Sequence, residues 1–337
     1  MRNASGRLWA LLAAVLTCCP GVPAWAQQDA WSGVERIVAV GDVHGDFDQF
    51  VKALRAAAVI DANQNWVAGR THLVQTGDVL DRGPDSRKAM DLLMKLEAQA
   101  AEANGAVHAL IGNHEAMVLL GDWRYVHEGE SNAFGGEEPY RQAVSAKGKY
   151  GRWIRGHNAV IKINDVLFAH AGITPPFAKM SLAEINKSVR EALEKGDANG
   201  FLMDSAGPLW DRTLALDDEG LVAKDLDAVF KALGARRMVV GHTVSIDGIM
   251  TRADGRLIRI DVGMSGAYGG PAACLVIEKG AFYEVRPGLK KPHLLLEAPA
   301  SRPAASQPAR RGPPQAASRP SSRASASVPV TGTPAVR

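Results

Sequence analysis

Five short apolar runs in this chain each stop at a polar cluster built on glycine. Residues 36–40 (RIVAV) run into GDVHGD, 71–75 (THLVQ) into TGDVLDRGPDS, and 107–111 (VHALI) into GNHE. Residues 166–170 (VLFAH) run into AGI, and 237–241 (RMVVG) into HT. Short runs rich in β-branched residues and bounded by Gly and Asp read as buried strands. Residues 47–58, 86–103 and 181–194 carry the spacing of amphipathic helices. Later strands are expected at 257–260, 275–278 and 282–285. Strand and helix alternation followed by strand-rich sequence predicts an α/β sandwich of layers. In such folds ligands bind beyond the carboxyl ends of strands. Glycine there lets the backbone turn sharply and lets a ligand come close.

The side chains at these five ends form a chemical set. Asp42, His44, Asp78, Asn113, His170 and His242 are carboxylates, imidazoles and one amide, with no thiolate. Mixed nitrogen and oxygen ligands suit Mn, Fe or Zn. The set is too large for one tetrahedral ion and suits two ions sharing a bridging carboxylate. Two such ions form a clamp for in-line displacement at phosphorus. Asp42 and His44 alternate along an extended segment, which puts them on one face. Each piece alone has a plainer reading. GNH could be a turn with a helix cap, and His72 and His108 read as ordinary strand histidines. Five pieces in one order point to a site.

The two ends of the chain are set apart by composition. Arg2 and Arg7 precede an apolar run at 8–17, too short to span a bilayer comfortably. Pro20 and Pro23 break it, and AWA at 24–26 fits a signal-peptidase site. Residues 1–26 are therefore expected to be a cleaved secretory signal, with the mature protein in the periplasm. A lipoprotein anchor on Cys18 or Cys19 is the weaker alternative, because Thr17 and Cys18 stand where a small residue would precede the lipidated Cys. Cleavage leaves Cys274, which cannot form an internal disulfide and reads as a small buried apolar side chain. Residues 298–337 are mostly Ala, Pro, Ser and Arg, without a single Asp, Glu or aromatic residue. Such a segment is expected to be a disordered cationic tail, with anionic envelope surfaces as a candidate contact. One domain, 27–297, remains between them. A chain that is 46% hydrophobic with a formal net charge of +3 has material for a core. That charge makes no case for nucleic acid.

GDVHG, GDVLDRG, GNHE, a His beside glycine and a final GHT together resemble the phosphoprotein phosphatase group of calcineurin-like metallophosphoesterases. The pattern spans residues 41–242. GDVLDRG is its most discriminating piece, because other branches lack the Asp-Arg pair. GNHEAMVLLGDWRYV, GPLWDR and VVGHT are similar to the bacterial-type Shewanella-like protein phosphatases. The resemblance implies an αββα sandwich with a dinuclear metal site. It implies Asp42 and His44 as ligands of the first metal, Asp78 as the bridge, and Asn113, His170 and His242 as ligands of the second. The metals implied are Mn or Fe, with Zn also fitting. Arg82 and Arg212, with Asn113 and His114, would contact the phosphate. His114 would be the general acid, with Asp81 hydrogen-bonded behind it. Arginine presents a planar fork that matches phosphate oxygens. A water made acidic by two metals supplies the hydroxide that attacks phosphorus in line. A departing alkoxide needs a proton, which an imidazole can give. A carboxylate behind that ring holds its orientation. Glu115 reads simply as a negative charge in the first turn of a helix. Two departures stand out. Ala171 replaces a common Gly, and IDVGMSGAYGG stands where related members have Ser-Ala-Pro-Asn-Tyr-Cys. Tyr268 in that stretch reads equally as a wall of the site or as a packed ring.

The expected function is that of an exported phosphomonoesterase acting on phosphotyrosine or phosphoserine/threonine in proteins or peptides. One alternative is hydrolysis of small phosphorylated molecules such as dinucleoside polyphosphates. A non-catalytic phosphate-binding protein is the third reading, against which the Asp81–His114 pair stands. Residues 122–153 are long and polar for a connection. They are expected to wall the cleft, with Lys147, Lys149, Arg152 or Arg155 near an acidic substrate, or else to form a solvated excursion. His127 and His157 receive no role.

Overall fold

Ile37 to Val40 are almost wholly buried, and a strand covered on both faces needs this continuous apolar run. In the computed structural model, which describes residues 28–298, this strand is β2 (Arg36–Val40), with β1 (Ala30–Trp31) ahead of it. The expected signal segment, Cys18 and Cys19, and tail residues 299–337 lie outside the described residues. β2 pairs in parallel with β3 (His72–Gln75), and β3 with β4 (Ala106–Ala109). Parallel neighbours need crossovers. α1 (Phe47–Ala56) and α2 (Ser86–Glu102) supply them.

On its other side β2 pairs antiparallel with β10 (Cys274–Glu278), which continues through β11 (Ala281–Val285) to β12 (His293–Leu296). This gives one six-stranded mixed sheet, β12-β11-β10-β2-β3-β4. The second mixed sheet contains β5 (Val160–Ile163), β6 (Val166–Ala169), β7 (Arg237–Val240), β8 (Met250–Arg252) and β9 (Leu257–Arg259), in the order β1-β5-β6-β7-β9-β8. One continuous apolar core contains residues of both sheets. Two mixed sheets with helices make the α/β sandwich expected from the sequence.

The helices follow local rules. The Asp46 side chain accepts the Gln49 N–H to start α1, which buries Phe50, Val51, Ala53 and Leu54. α7 (Leu182–Lys195) begins with a Ser181–Glu184 capping box and ends at Gly196 in the left-handed region. Such caps satisfy the free amides and carbonyls of helix ends. α8 (Thr213–Leu216) and α9 (Glu219–Leu233) are absent from the sequence reading, and α9 buries Val222, Leu226 and Val229. Residues 122–155 carry three short helices, α4 (Glu128–Ala133), α5 (Glu137–Val144) and α6 (Lys149–Arg155), which follow α3 (Asn113–Leu119). Strands β1, β5, β8 and β12 also escaped the sequence reading. Among the described residues no helix is long and apolar enough to cross a membrane. Cys274 is buried, with its thiol donating to the Ala53 carbonyl at 3.2 Å.

Candidate active site

Both sheets deliver chemistry at their carboxyl ends. β2 leads to Asp42 and His44, β3 to Asp78, and β4 to Asn113 and His114. β6 leads to His170 and β7 to His242. All seven side chains are buried. A sixth strand end joins them. β9 leads to Asp261, which is buried beside Asp42. The sequence reading missed Asp261, although a strand running into IDVG repeats the signature of the other five.

The loops that carry these residues are bent where side chains rarely go. His44, Asp78, Asp81, Arg82 and His242 all have positive φ, between 46° and 67°. Left-handed backbone at a non-glycine residue costs of order 1–3 kcal/mol and persists only where the surroundings hold it. Asp78 and its two successors are held by Glu115, which the sequence places at a helix start. Its carboxylate accepts N–H bonds from Gly112, Asp78, Val79 and Leu80, at 2.7–3.2 Å. Glu115 thus ties the GNHE loop to the GDVL loop. Gly77 permits the close approach: at φ +97°, a Cβ there would lie 2.5 Å from the Gly112 nitrogen.

Proton counting tests the site against metal ions. His170 Nδ1 lies 3.0 Å from the Thr76 carbonyl, so it carries the proton and leaves Nε2 a bare lone pair. That lone pair faces Asn113 Oδ1 at 2.7 Å, His242 Nδ1 at 3.0 Å and Asp78 Oδ2 at 3.4 Å. The Asn113 amide nitrogen points to Met117 Sδ, which fixes its oxygen toward the histidine. His242 Nε2 has no partner within hydrogen-bond geometry among the described residues. Acceptors therefore converge with too few protons between them, and a cation fits there. The pattern recurs next door. His44 Nδ1 lies 3.0 Å from the Leu80 carbonyl, so Nε2 is bare toward Asp78 Oδ2 at 3.6 Å and Asp42 Oδ2 at 4.0 Å. Asp78 Oδ1 accepts the His114 N–H at 2.9 Å, leaving Oδ2 to face both groups. The donor set, oxygen and imidazole without thiolate, suits the metals expected.

Charges agree with that fit. Burial pushes Asp42 well above the usual carboxylate range, and Asp261 and Asp78 add to the effect. Burial raises Asp78 to about 8 and Asp261 to about 6. Burial also holds His44 and His170 neutral, and takes His242 down to about 3 with Arg212 contributing. Carboxylates crowded together by burial and imidazoles kept unprotonated are what a cation would stabilise.

His114 sits differently. Its Nδ1 contacts Asp81 Oδ2 at 2.6 Å, and its Nε2 lies 3.4 Å from Arg82 Nη2. His44, Asp78 and His114 also place ligand atoms within 4.8 Å of one another, as do Asp78, His170 and His242. Distance alone would admit His114 as a ligand. The Arg82 guanidinium beside its Nε2 opposes a second cation at that nitrogen. Burial raises Asp81 to about 8, with Glu115 adding and Arg82 opposing. Arg82 lies between two aromatic rings, 4.8 Å from the Tyr125 centroid and 5.4 Å from that of Tyr268. Arg212 donates to the His242 carbonyl and to Thr243 Oγ1. Ala171 is buried, with its N–H donating to the Pro208 carbonyl.

The 122–155 excursion meets the site by other residues than those expected. Lys149 pairs with Asp91, Arg152 donates to the Lys147 carbonyl, and Arg155 donates to the carbonyls of Val144, Gly151 and Leu119. Lys149, Arg152 and Arg155 are thus engaged with their own surroundings, as the alternative of an excursion apart from the substrate would have it. Tyr125, 41% exposed, stands 5.2 Å from the His114 ring instead. Buried Glu130 accepts the Asp81 N–H. His72 and His108 bond each other at 3.0 Å under Trp31. The cleft they line with Trp31 and Met94, about 530 Å³, involves none of the residues above.

Residues 35–245 match the family described as calcineurin-like phosphoesterase. Shewanella-like protein phosphatase 2 of Arabidopsis thaliana is 31% identical, covering 68% of this chain and 72% of the relative. Shewanella-like protein phosphatase 1 of Plasmodium berghei is 30% identical, covering 70% and 68%. Among solved structures, the cold-active protein-tyrosine phosphatase of a psychrophilic Shewanella superposes with a TM-score of 0.69. It is 31% identical, over 77% of this chain and 81% of that one.

Proposed function

This chain belongs to the calcineurin-like phosphoesterase family and is a phosphoester hydrolase, and from that premise we propose that it is an exported metal-dependent phosphatase of phosphotyrosine or phosphoserine/threonine in proteins. The observation that carries the reading is the pairing of His114 with Asp81 at 2.6 Å beside converging metal-ligand atoms. A protein that only bound phosphate would have no use for a proton donor. The Shewanella-like relatives and the Shewanella structure, by their names protein phosphatases, support the choice of substrate class.

Asp42, His44 and Asp78 would hold one ion, and Asp78, Asn113, His170 and His242 the other. Mn or Fe suits both places, and Zn fits the same donors. Bound there, the two ions supply Lewis-acid polarisation of phosphoryl oxygens and lower the pKa of water. The protein's own residues do the rest. Arg82, beside His114, and Arg212, beside His242, would hold equatorial oxygens of the phosphate as charge spreads over them. Asn113 and His114 complete the grip. As Arg82 turns its donors to phosphate, His114 Nε2 faces the departing oxygen and gives it a proton, while Asp81 keeps the ring in register. Water adds to phosphorus and gives up a proton to solvent, the ester oxygen departs with the proton from His114, phosphate and the neutral alcohol leave, and solvent reprotonates His114. Residues 1–26 would carry the chain out of the cytoplasm, and residues 298–337 would offer anionic surfaces a cationic arm.

The test uses mature protein starting at Gln27. With Mn²⁺ it should hydrolyse p-nitrophenyl phosphate and phosphopeptides, and a chelator should stop both. A kcat/KM higher on a dinucleoside tetraphosphate than on every phosphopeptide would overturn the phosphoprotein reading. Recovery of a tagged full-length chain only from the cytoplasm would overturn export.

A further inference from the structure

We propose that Glu130, braced by Tyr140, is a positioning residue for the acid pair. It fixes the Asp81 backbone, and through it the His114 ring, so that the 122–155 excursion completes the active site. The inference rests on the reading of His114 as the proton donor.

Asp81 and Arg82 are consecutive left-handed residues, at φ +67° and +65°. Such a pair relaxes unless something outside the turn holds it. The excursion holds both residues. Glu130 Oε2 accepts the Asp81 N–H at 3.2 Å, and the Tyr125 carbonyl accepts the Arg82 N–H at 2.8 Å. One turn therefore sets both the Asp81 carboxyl and the Arg82 guanidinium against the His114 ring, and both its amides are anchored on the same segment.

Glu130 is 0% exposed. A carboxyl so placed is costly unless hydrogen-bonded. Its second oxygen accepts the Tyr140 hydroxyl at 2.7 Å. Tyr140 is itself enclosed by Phe134 and Trp123, at ring distances of 5.0 and 5.7 Å. The order is thus Trp123 and Phe134 around Tyr140, Tyr140 to Glu130, Glu130 to Asp81, Asp81 to His114. Burial pushes Glu130 up to about 8. An apolar residue would avoid that cost, so a core role alone gives no reason for a carboxyl here. Ordering a turn in the site does.

The experiment measures kcat of the mature Mn²⁺ enzyme over aryl phosphates, from p-nitrophenyl to phenyl phosphate. The proteins are wild type, Glu130→Ala, Glu130→Gln, Tyr140→Phe, His114→Asn and the Glu130→Ala/His114→Asn double variant. Glu130→Ala should lose roughly 10–100-fold on phenyl phosphate and clearly less on p-nitrophenyl phosphate, with metal content unchanged. Glu130→Gln, which keeps an acceptor oxygen, should recover most of the loss. On the His114→Asn background, Glu130→Ala should cost less than about threefold, because the two act as one unit. In proton spectra of the metal-free chain, the resonance lost in His114→Asn should move or vanish in Glu130→Ala.

An equal loss on every leaving group, or a full additional loss in the double variant, overturns the proposal. Should Glu130→Ala not fold, Tyr140→Phe decides. A steeper leaving-group dependence with metal retained supports the proposal, and an unchanged one overturns it. A His114→Asn variant with the wild-type leaving-group dependence would instead overturn the acid assignment itself.

Discussion

Asn113 and His114 are adjacent in the chain, yet their side chains face different partners. Asn113 turns its oxygen to His170, whereas His114 turns its ring between Asp81 and Arg82. Replacing His114 with Asn should therefore cost roughly 10²–10⁴ in rate on a phosphoserine peptide, less on p-nitrophenyl phosphate. Metal content by elemental analysis should stay at the wild-type level, and loss of one ion would show that His114 is a ligand. Glu115 has a heavier structural duty than its place in a helix start suggests. Its four amide partners span two loops, and hydrogen bonds to a charged group are each worth about 1.5–3 kcal/mol. Glu115→Ala should lower stability by at least about 3 kcal/mol in urea titrations. It should also weaken metal binding, because the amides of Asp78 and its neighbours lose their anchor. Unchanged stability would count against that stitch. The sequence places Glu115 in a helix and stops there. Its partners at Asp78, Val79 and Leu80 lie 35–37 residues away, and no local pattern encodes them.

The element that most changed in meaning is the 122–155 excursion. Its cations are engaged elsewhere, and Tyr125 and Glu130 connect it to the site. Glu130 also gives it a pH signature. The carboxyl faces the Tyr140 hydroxyl and the Asp81 carboxyl, and burial raises it from an ordinary 4.5 to about 8. A raised folded value means that its contribution to stability is fully present below pH 4.5. It is lost as pH climbs toward 8, at up to about 1.4 kcal/mol per pH unit. Glu130→Gln cannot ionise. Its stability relative to wild type should therefore rise across that window, read from denaturation midpoints at matched metal loading. A difference that stays flat from pH 5 to 8 would refute the raised value. The strand elements were far easier to read. β2, β3, β4, β6, β7, β9, β10 and β11 are buried runs with polar punctuation, and their sequence announces them. The edge strands β1, β8 and β12 have two to four residues and partial exposure, so pairing alone defines them.

At the scale of the whole molecule, six strand ends from two sheets concentrate Asp42, Asp78 and Asp261 with three neutral imidazoles in one buried place. Such a site is strained electrostatically until cations fill it. Chelation should lower the melting temperature, and added Mn²⁺ should restore it. The linkage is about 4 kcal/mol per ion at a free concentration a thousandfold above its Kd. A melting temperature indifferent to chelator would mean that no ion is bound there.

By itself the sequence determined the order of the buried strands along the chain, the layered α/β class and the side-chain chemistry at five strand ends. All of these are local: hydrophobic runs set strands, glycine sets the turn after each, and a side chain's chemistry travels with its position. The tertiary structure decided what no window along the chain contains. It brought Asp261 beside Asp42, set Glu115 across two loops, and placed Glu130 behind Asp81, 49 residues away in the chain. It also separated the histidines, with His72 and His108 bonded to each other under Trp31 and His114 facing Asp81. Those distinctions rest on which lone pair meets which proton, and only packed backbones fix that geometry.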